Sequence, residues 1–532
     1  MQSTQSYACR IYAASLAALF FACTGPATAQ DVLTYHNNIA RTGYNSRETI
    51  LTLSDVDVNT FGKLFTIPVD GVVDAQPLYL SAVALPTRSR NLLIVATEHD
   101  SVYAFDADSG AQIWRKTTLK SGETTSDARG CGQVTPEIGI TSTPVIYRPA
   151  GSNGVIYVVA MSKDSTGKYH QRLHALDVTT GNELYNGPVE IQAKYPGDGD
   201  NSSGGNVVFA PGQYKERSGL LLVGGKVYLG WASHCDIRPY TGWLLGYSAA
   251  TLVQQSVLNL TPNGNEGAIW SSGAGLAADG SGNIYILDGN GTFDTTLNSK
   301  GFPGNGDFGN GFLKLSTTGA LAVVDYFEMH DQDVENLRDS DLGSGGALVL
   351  PAMKDAFGTT WQLVAGAGKD SNLYLLNRNS MGKFDPNSNR IYQELPGVLP
   401  GGIRGMPAFY NGRLYFGPVG QPILAFQFKN AKLLTTSVAQ TSNSFGYPGT
   451  TPSISANNGR DAIVWAAENR NPAVLHAYDA RTLQELYNTN QAANGRDHFG
   501  AGNKFITPTI ANGKVYVGTK TGVGVFGLLP HQ

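Results

Sequence analysis

One pattern recurs eight times along this chain of 532 residues: an apolar run, a short polar turn, then a second alternating run closed by Gly, Asn or Asp. A clear copy is LLIVAT from Leu92 followed by SVYAFDADSGAQIW from Ser101. The next three pair VIYVVA (Val155) with RLHALDVTTG, KVYLGWA (Lys226) with WLLGYSAATL, and NIYILDG (Asn283) with GFLKLSTTG. The last four pair LVAGAG (Leu363) with SNLYLLNR, RLYFGPVG (Arg413) with ILAFQF, AIVWAAE (Ala462) with VLHAYDARTL, and KVYVGTK (Lys514) with VGVFGLL. Several copies carry a small-residue–proline lead-in: Thr143–Pro144, Met406–Pro407, Thr451–Pro452 and Thr507–Pro508. Each copy reads as short strands joined by tight turns, with no helical period between them. A four-stranded antiparallel sheet of this kind cannot bury both faces alone, so the copies must stack. Radial stacking of such sheets is a β-propeller.

The pattern therefore predicts an all-β, eight-bladed propeller over residues 61–532, preceded by an N-terminal segment, residues 30–60. FGKLFTIPVDG, from Phe61, reads as an outer strand arriving before the first full copy, while the last copy stops near Leu529 with inner strands only. The N-terminal strand is expected to complete the final blade and remove an exposed edge. Two separate sandwich domains are the alternative, and no linker or low-complexity stretch divides the chain for them.

Residues 1–29 read as a targeting segment: Arg10, the apolar run IYAASLAALFFA, and a small-residue cleavage site at Ala27, Thr28 and Ala29. The apolar run is shorter than the roughly 20 residues a membrane span needs. A lipoprotein anchor on Cys23 is a competing reading of the same segment. The mature chain is expected to be periplasmic or secreted. A net charge of −4 and only 15% charged residues, with no basic stripe, argue against a nucleic-acid surface.

Export leaves two cysteines, Cys131 and Cys235, in loops of neighbouring copies. In an oxidising compartment a lone pair usually closes a disulfide; two buried thiols are the alternative. No cysteine pair has zinc spacing.

The ends of propeller blades converge on a funnel, where loops bind ligands. The long loops here are polar and glycine-rich: GCGQVTPEIG from Gly130, SHCDIRPYTG from Ser233, DGNGTFD from Asp288, and HDQDVENLRDSDLGSGG from His330. Such residues can bind a hard cation such as calcium, and they also make ordinary turns.

The repeat VYAFDADSGAQIW resembles that of the quinoprotein alcohol dehydrogenases, eight-bladed propellers that bind pyrroloquinoline quinone (PQQ) and calcium. Three segments resemble the family beyond the repeat. GAIWSSGAGLAADGSGNIYILDGNGTFD, from Gly267, implies Trp270 as the floor under the quinone and Asn290 as a metal ligand. AGKDSNLYLLNRNSMGKF, from Ala367, implies Lys369 as the basic residue at the quinone oxygens. HDQDVENLRDSDLG implies Asp339 or Asp341 as the catalytic base, and the family's metal-binding glutamate falls near Asp236. In these roles a carboxylate takes the alcohol proton while a cation and Lys369 polarise the quinone oxygen. If a metal sits there, Lys369 should stand off from it; if none does, Lys369 should pair with an aspartate, which favours a structural network.

The departures are specific. The family's adjacent-cysteine pair is reduced to Cys131 in CGQ. Glu137 stands where an arginine for the quinone carboxylates is expected, and its charge would repel them. No CxxCH haem motif is present, so a separate electron acceptor is implied. His99 reads as a turn hydrogen-bonder, and His174 and His476 share a repeat position and read as structural. His36, His234 and His330 are loop histidines that could face the funnel. The leading expectation is an exported quinoprotein-like oxidoreductase acting on an alcohol or sugar hydroxyl with PQQ and calcium. The alternatives are a non-catalytic propeller binding protein or glycan on its funnel face, and a propeller lyase or hydrolase. No G-x-S-x-G elbow supports the last.

Overall fold

A computed structural model of the chain describes residues 30–530. The targeting segment lies outside the described residues. The described chain is an all-β propeller of antiparallel sheets, eight of which hold four or more strands. The first is a meander of Leu78–Ala84, Ser89–Thr97, Ser101–Asp106 and Gln112–Thr117. In this copy LLIVAT ends the second strand and SVYAFD forms the third. Both runs are buried on both faces. An antiparallel sheet facing water would alternate buried and exposed, so this sheet must be covered on each side.

The covers are the neighbouring sheets. Val102 and Ala104 share one apolar cluster with Ile156 and Val158 of the second sheet and Val523 and Val525 of the eighth. Further clusters join each sheet to the next in chain order: Tyr157 with Trp231, Tyr228 with Ile286, Tyr285 with Val364. The series continues with Leu375 against Phe426, Tyr415 against Val464, and Trp465 against Val515. The lead-in prolines Pro144, Pro407, Pro452 and Pro508 each directly precede the first strand of a sheet, where a missing N–H costs no ladder bond. As expected, Phe61–Pro68 pairs with the last strand, Gly522–Leu528, from Phe61 opposite Leu528 to Pro68 opposite Gly522.

Residues 32–48 do something the pattern did not foretell. They thread past the first strand of every one of these sheets. Val32 bridges Tyr79, and Leu33 O accepts from Ile146 N. The carbonyls of Ile39, Ala40, Thr42 and Gly43 accept from Ala278, Val349, Phe409 and Ile454. Arg41, fully buried, donates to the carbonyls of Leu220 and Leu276, and Glu48 accepts from Gly513 N. The first strands thereby gain backbone partners beyond those their own sheets supply. No helix among the described residues is long and apolar enough to cross a membrane.

Candidate functional site

A cavity of about 470 Å³ opens where the loops of the sheets converge. Trp270, Asn290, Lys369, Asp339, Asp341 and Asp236, all singled out from the sequence, line it. Trp270 is set between the third and fourth sheets, because Ile269 N donates to Trp231 O and Gly289 N to Ala268 O. Its indole Nε1 donates to Asp341 Oδ1 at 3.1 Å, and the Lys369 ammonium stands 5.5 Å from its ring centroid.

Lys369 Nζ lies 2.7 Å from Asp339 Oδ1 and 2.6 Å from Asp341 Oδ2. The two aspartates differ sharply in setting: the Asp339 side chain is 76% exposed and the Asp341 side chain 6%. Burial outweighs the neighbouring ammonium and raises the Asp341 carboxyl above its ordinary range. Burial works against the Lys369 charge, yet the two carboxylates prevail and hold it above the usual lysine value. Gly368 makes this corner possible. A Cβ there would lie 2.5 Å from Leu342 Cα and 2.7 Å from Asp341 O, so a larger residue would push the aspartate loop away. Asn290 Nδ2 donates to Asp339 Oδ1 at 3.3 Å, while its buried Oδ1 has no hydrogen-bond partner.

Asp236 is on the cavity wall but turned into its own loop, accepting from Ser233 Oγ at 2.7 Å. No group of three or more His, Cys, Asp or Glu side chains among the described residues is arranged to hold a metal ion. Lys369 pairs with both aspartates at this corner.

The opposite side of the cavity is basic, and the sequence did not reveal it. Arg217, Arg404 and Lys504 line it together with Phe505 and Tyr447. Arg217 is 4% exposed and holds its guanidinium 4.8 Å over the Phe505 ring, which meets the Trp270 ring edge-to-face at 6.4 Å. A continuous path thus runs from the Asp341–Lys369 pair across Trp270 and Phe505 to Arg217. A signal for part of this was present: Arg404 and Phe505 each stand three residues before a lead-in proline, Pro407 and Pro508.

Four residues lining the cavity have left-handed backbone: Asp236 (φ 55°), Glu266 (64°), Asp339 (54°) and Phe505 (65°). For non-glycine residues such conformations cost of order 1 kcal/mol each and concentrate at functional sites.

Other expectations need correction. Glu137 does not line the cavity; it accepts from Thr125 Oγ1 at 2.8 Å and pairs with His99 Nδ1 at 3.0 Å, so it repels nothing there. His36, His234 and His330 do not line it either. His36 is buried against the carbonyls of Arg41 and Pro452, and His330 lies against Asn389. His174 and His476 bond Glu183 and Glu485, each nine residues on, which is the repeated structural role expected of them. Cys131 and Cys235 form a disulfide with Cα atoms 5.9 Å apart, inside the span a disulfide tolerates.

Residues 56–229 match a family model described as outer membrane protein assembly factor BamB, built on the PQQ-type repeat. No curated protein matches the sequence. Among solved structures, quinohaemoprotein alcohol dehydrogenase from Comamonas testosteroni superposes with a TM-score of 0.62 at 14% identity, over 94% of this chain and 82% of that one. In fold, the chain is similar to this propeller enzyme over most of its length. A quinohaemoprotein alcohol dehydrogenase from Pseudomonas putida also gives 0.62, at 13% identity over 94% and 81% of the two chains. A europium-containing methanol dehydrogenase gives 0.58 at 12% identity, over 94% and 98%. At these identities the likeness speaks to fold, and the site must speak for function.

Proposed function

We propose that this protein is an exported oxidoreductase that oxidises an alcohol or sugar hydroxyl, with PQQ seated on Trp270 at the axis of a closed ring of eight blades. The observation that carries the reading is the convergence of Trp270, Asn290, Lys369, Asp339 and Asp341, drawn from segments a hundred residues apart, on one cavity. Closure is supported by the pairing of Phe61–Pro68 with the last strand and by the unbroken series of inter-sheet clusters. Export is supported by the targeting pattern of residues 1–29 and by the disulfide.

The chain fits the quinone. The flat indole face of Trp270 suits a planar ring system. Arg217, Lys504 and Arg404 supply the charge its carboxylates need, in place of the arginine expected near Glu137. A quinone held there would supply the acceptor for hydride from the alcohol carbon. Asp341, buried and with raised proton affinity, takes the hydroxyl proton at its carboxylate. Lys369 holds that carboxylate in place and offers a donor to an oxygen that gains charge. The exposed Asp339 anchors Lys369 from the other side.

Calcium does not fit the same corner while Lys369 holds both aspartates. A dication about 4 Å from the ammonium would be repelled by about 8 kcal/mol at an effective dielectric of about 20. Binding it would require Lys369 to swing away, leaving Asn290 Oδ1, Asp339 and Asp341 as oxygens. Lys369 therefore provides the resident positive charge.

The direct test is dye-linked oxidation of a panel of primary alcohols and sugars by the full chain, reconstituted with PQQ alone and with PQQ plus calcium. Turnover with PQQ, lost in Asp341→Asn, supports the reading. A second reading, a non-catalytic binding propeller, is favoured by the salt-bridged Lys369 network, and inactivity under every condition would leave it standing.

A further inference from the structure

Two residues before Arg217 of the cavity lining stands a buried lysine with an unusual partner. Lys215 is 1% exposed, and the hydrogen bond of its ammonium among the described residues is to Cys131 Sγ, at 3.2 Å. Cys131 is the sulfur that bridges to Cys235. The surroundings are rich in cations. Arg129 has two guanidinium nitrogens, Nε and Nη2, buried without partners, and both it and Arg217, two residues beyond Lys215, act on Lys215 as like charges. Glu98 and Asp236 are the acidic groups that act on Lys215. The neighbouring His234 ring is buried with both nitrogens unpartnered. Burial first, then Arg217, holds Lys215 down to about 7.

We propose that the Cys131–Cys235 bridge is a thiol–disulfide exchange site, in which Lys215 stabilises Cys131 as the leaving thiolate. The two sulfurs are unequal. Cys131 is 3% exposed, whereas Cys235 is partly exposed and is followed by the exposed Asp236. A thiolate of an external dithiol attacks Cys235 Sγ, forming a new S–S bond there as the Cys131–Cys235 bond breaks. The electron pair leaves on Cys131 Sγ, beside the Lys215 ammonium. The second thiolate of the dithiol then displaces Cys235, so the dithiol is oxidised to its disulfide and the protein is reduced to two thiols. A buried ammonium without a carboxylate partner is costly, and a thiolate 3 Å away supplies the missing counter-charge. Lys215 thus favours the reduced state and speeds departure of its sulfur.

The consequence falls on the cavity. Gln133 and Asp236, two residues from one cysteine and one from the other, both line it. Opening the bridge unties this wall whether or not a quinone binds, so the proposal stands apart from the oxidoreductase reading.

The test is redox equilibration of the oxidised full chain in dithiothreitol buffers near neutral pH, with thiols counted by alkylation and mass spectrometry. Lys215→Gln should lower the reduction constant about tenfold, which is about 30 mV for this two-electron couple. Lys215→Arg should stay within about threefold of the unmodified chain. Hydrogen exchange over residues 128–137 and 233–240 should rise on reduction. Equal constants for Lys215→Gln and the unmodified chain would overturn the proposal, as would a bridge that is reduced only when the protein unfolds. Should Lys215→Gln fail to fold, a monothiol such as glutathione decides on the unmodified chain. An adduct trapped on Cys235 supports the polarity proposed here, and one on Cys131 refutes it.

Discussion

Asp341 and Lys369 are tied twice: the Lys369 backbone N–H donates to the Asp341 carbonyl at 3.1 Å, and its ammonium lies 2.6 Å from Asp341 Oδ2. The first contact fixes the loop that carries the aspartate to the turn, just after the strand Leu363–Ala367, that carries the lysine. The second then forms between side chains already in register, one of them buried. This double tie makes the corner of the cavity a rigid unit with its own charge balance.

Removing the ammonium should therefore be felt in stability as well as in ligand behaviour. Lys369→Met leaves Asp341 buried without a counter-ion, and the carboxyl can escape part of that cost by taking up a proton. A loss of about 1–3 kcal/mol in urea denaturation near neutral pH is expected. The deficit should shrink on acidification, as Asp341 becomes neutral in both proteins.

Gly368→Ala probes the same corner through the backbone. Its Cβ would meet Leu342 Cα at 2.5 Å, so the loop must retreat. A loss of about 1–3 kcal/mol is expected from overpacking. Ligand affinity should fall with it, although no side chain in the cavity has changed.

How much of this was legible in the sequence varies with the kind of force involved. The strands were, because LLIVAT and VYAFD announce their period and the missing outer strand of the last copy demanded a partner, supplied by Phe61–Pro68. Trp270, Asn290 and Lys369 were placed by the segments that carry them. Arg217, Lys504 and Phe505 were not, because they sit in irregular lead-ins where no period operates and only the convergence of distant copies brings them together. Residues 32–48 were equally opaque. Their main contribution is backbone hydrogen bonding to the first strands, which leaves no side-chain pattern to read.

That thread makes a prediction of its own. Arg41 donates to Leu276 O at 2.8 Å, Tyr35 O at 2.7 Å, Leu220 O at 3.1 Å and Thr34 Oγ1 at 2.6 Å, all in the interior. Arg41→Met strands these acceptors and should cost about 3–5 kcal/mol, measured as a fall in the urea midpoint with an unchanged slope.

Asp370 gives the stability a pH signature. Burial, set against a hydrogen bond from Tyr374 Oη, raises its carboxyl to about 6. The folded protein holds this proton more tightly than the unfolded chain, so the favourable contribution is complete below about pH 4 and is lost as the pH rises through about 6. Asp370→Asn should remove that slope. Relative to the unmodified chain, the variant should gain about 2 kcal/mol between pH 4 and pH 7, read from denaturation at each pH.

The central claim is that the cavity between Asp341–Lys369 and Arg217 is a quinone site floored by Trp270. Equilibrium titration of the folded full chain with PQQ, followed by tryptophan fluorescence and ultrafiltration with and without calcium, tests it most directly. Saturable binding of one PQQ per chain is predicted, weakened at least tenfold by Trp270→Ala and by Arg217→Met in protein that keeps its fold. No binding at about 100 μM PQQ under either condition, or binding that Trp270→Ala leaves unchanged, would contradict it.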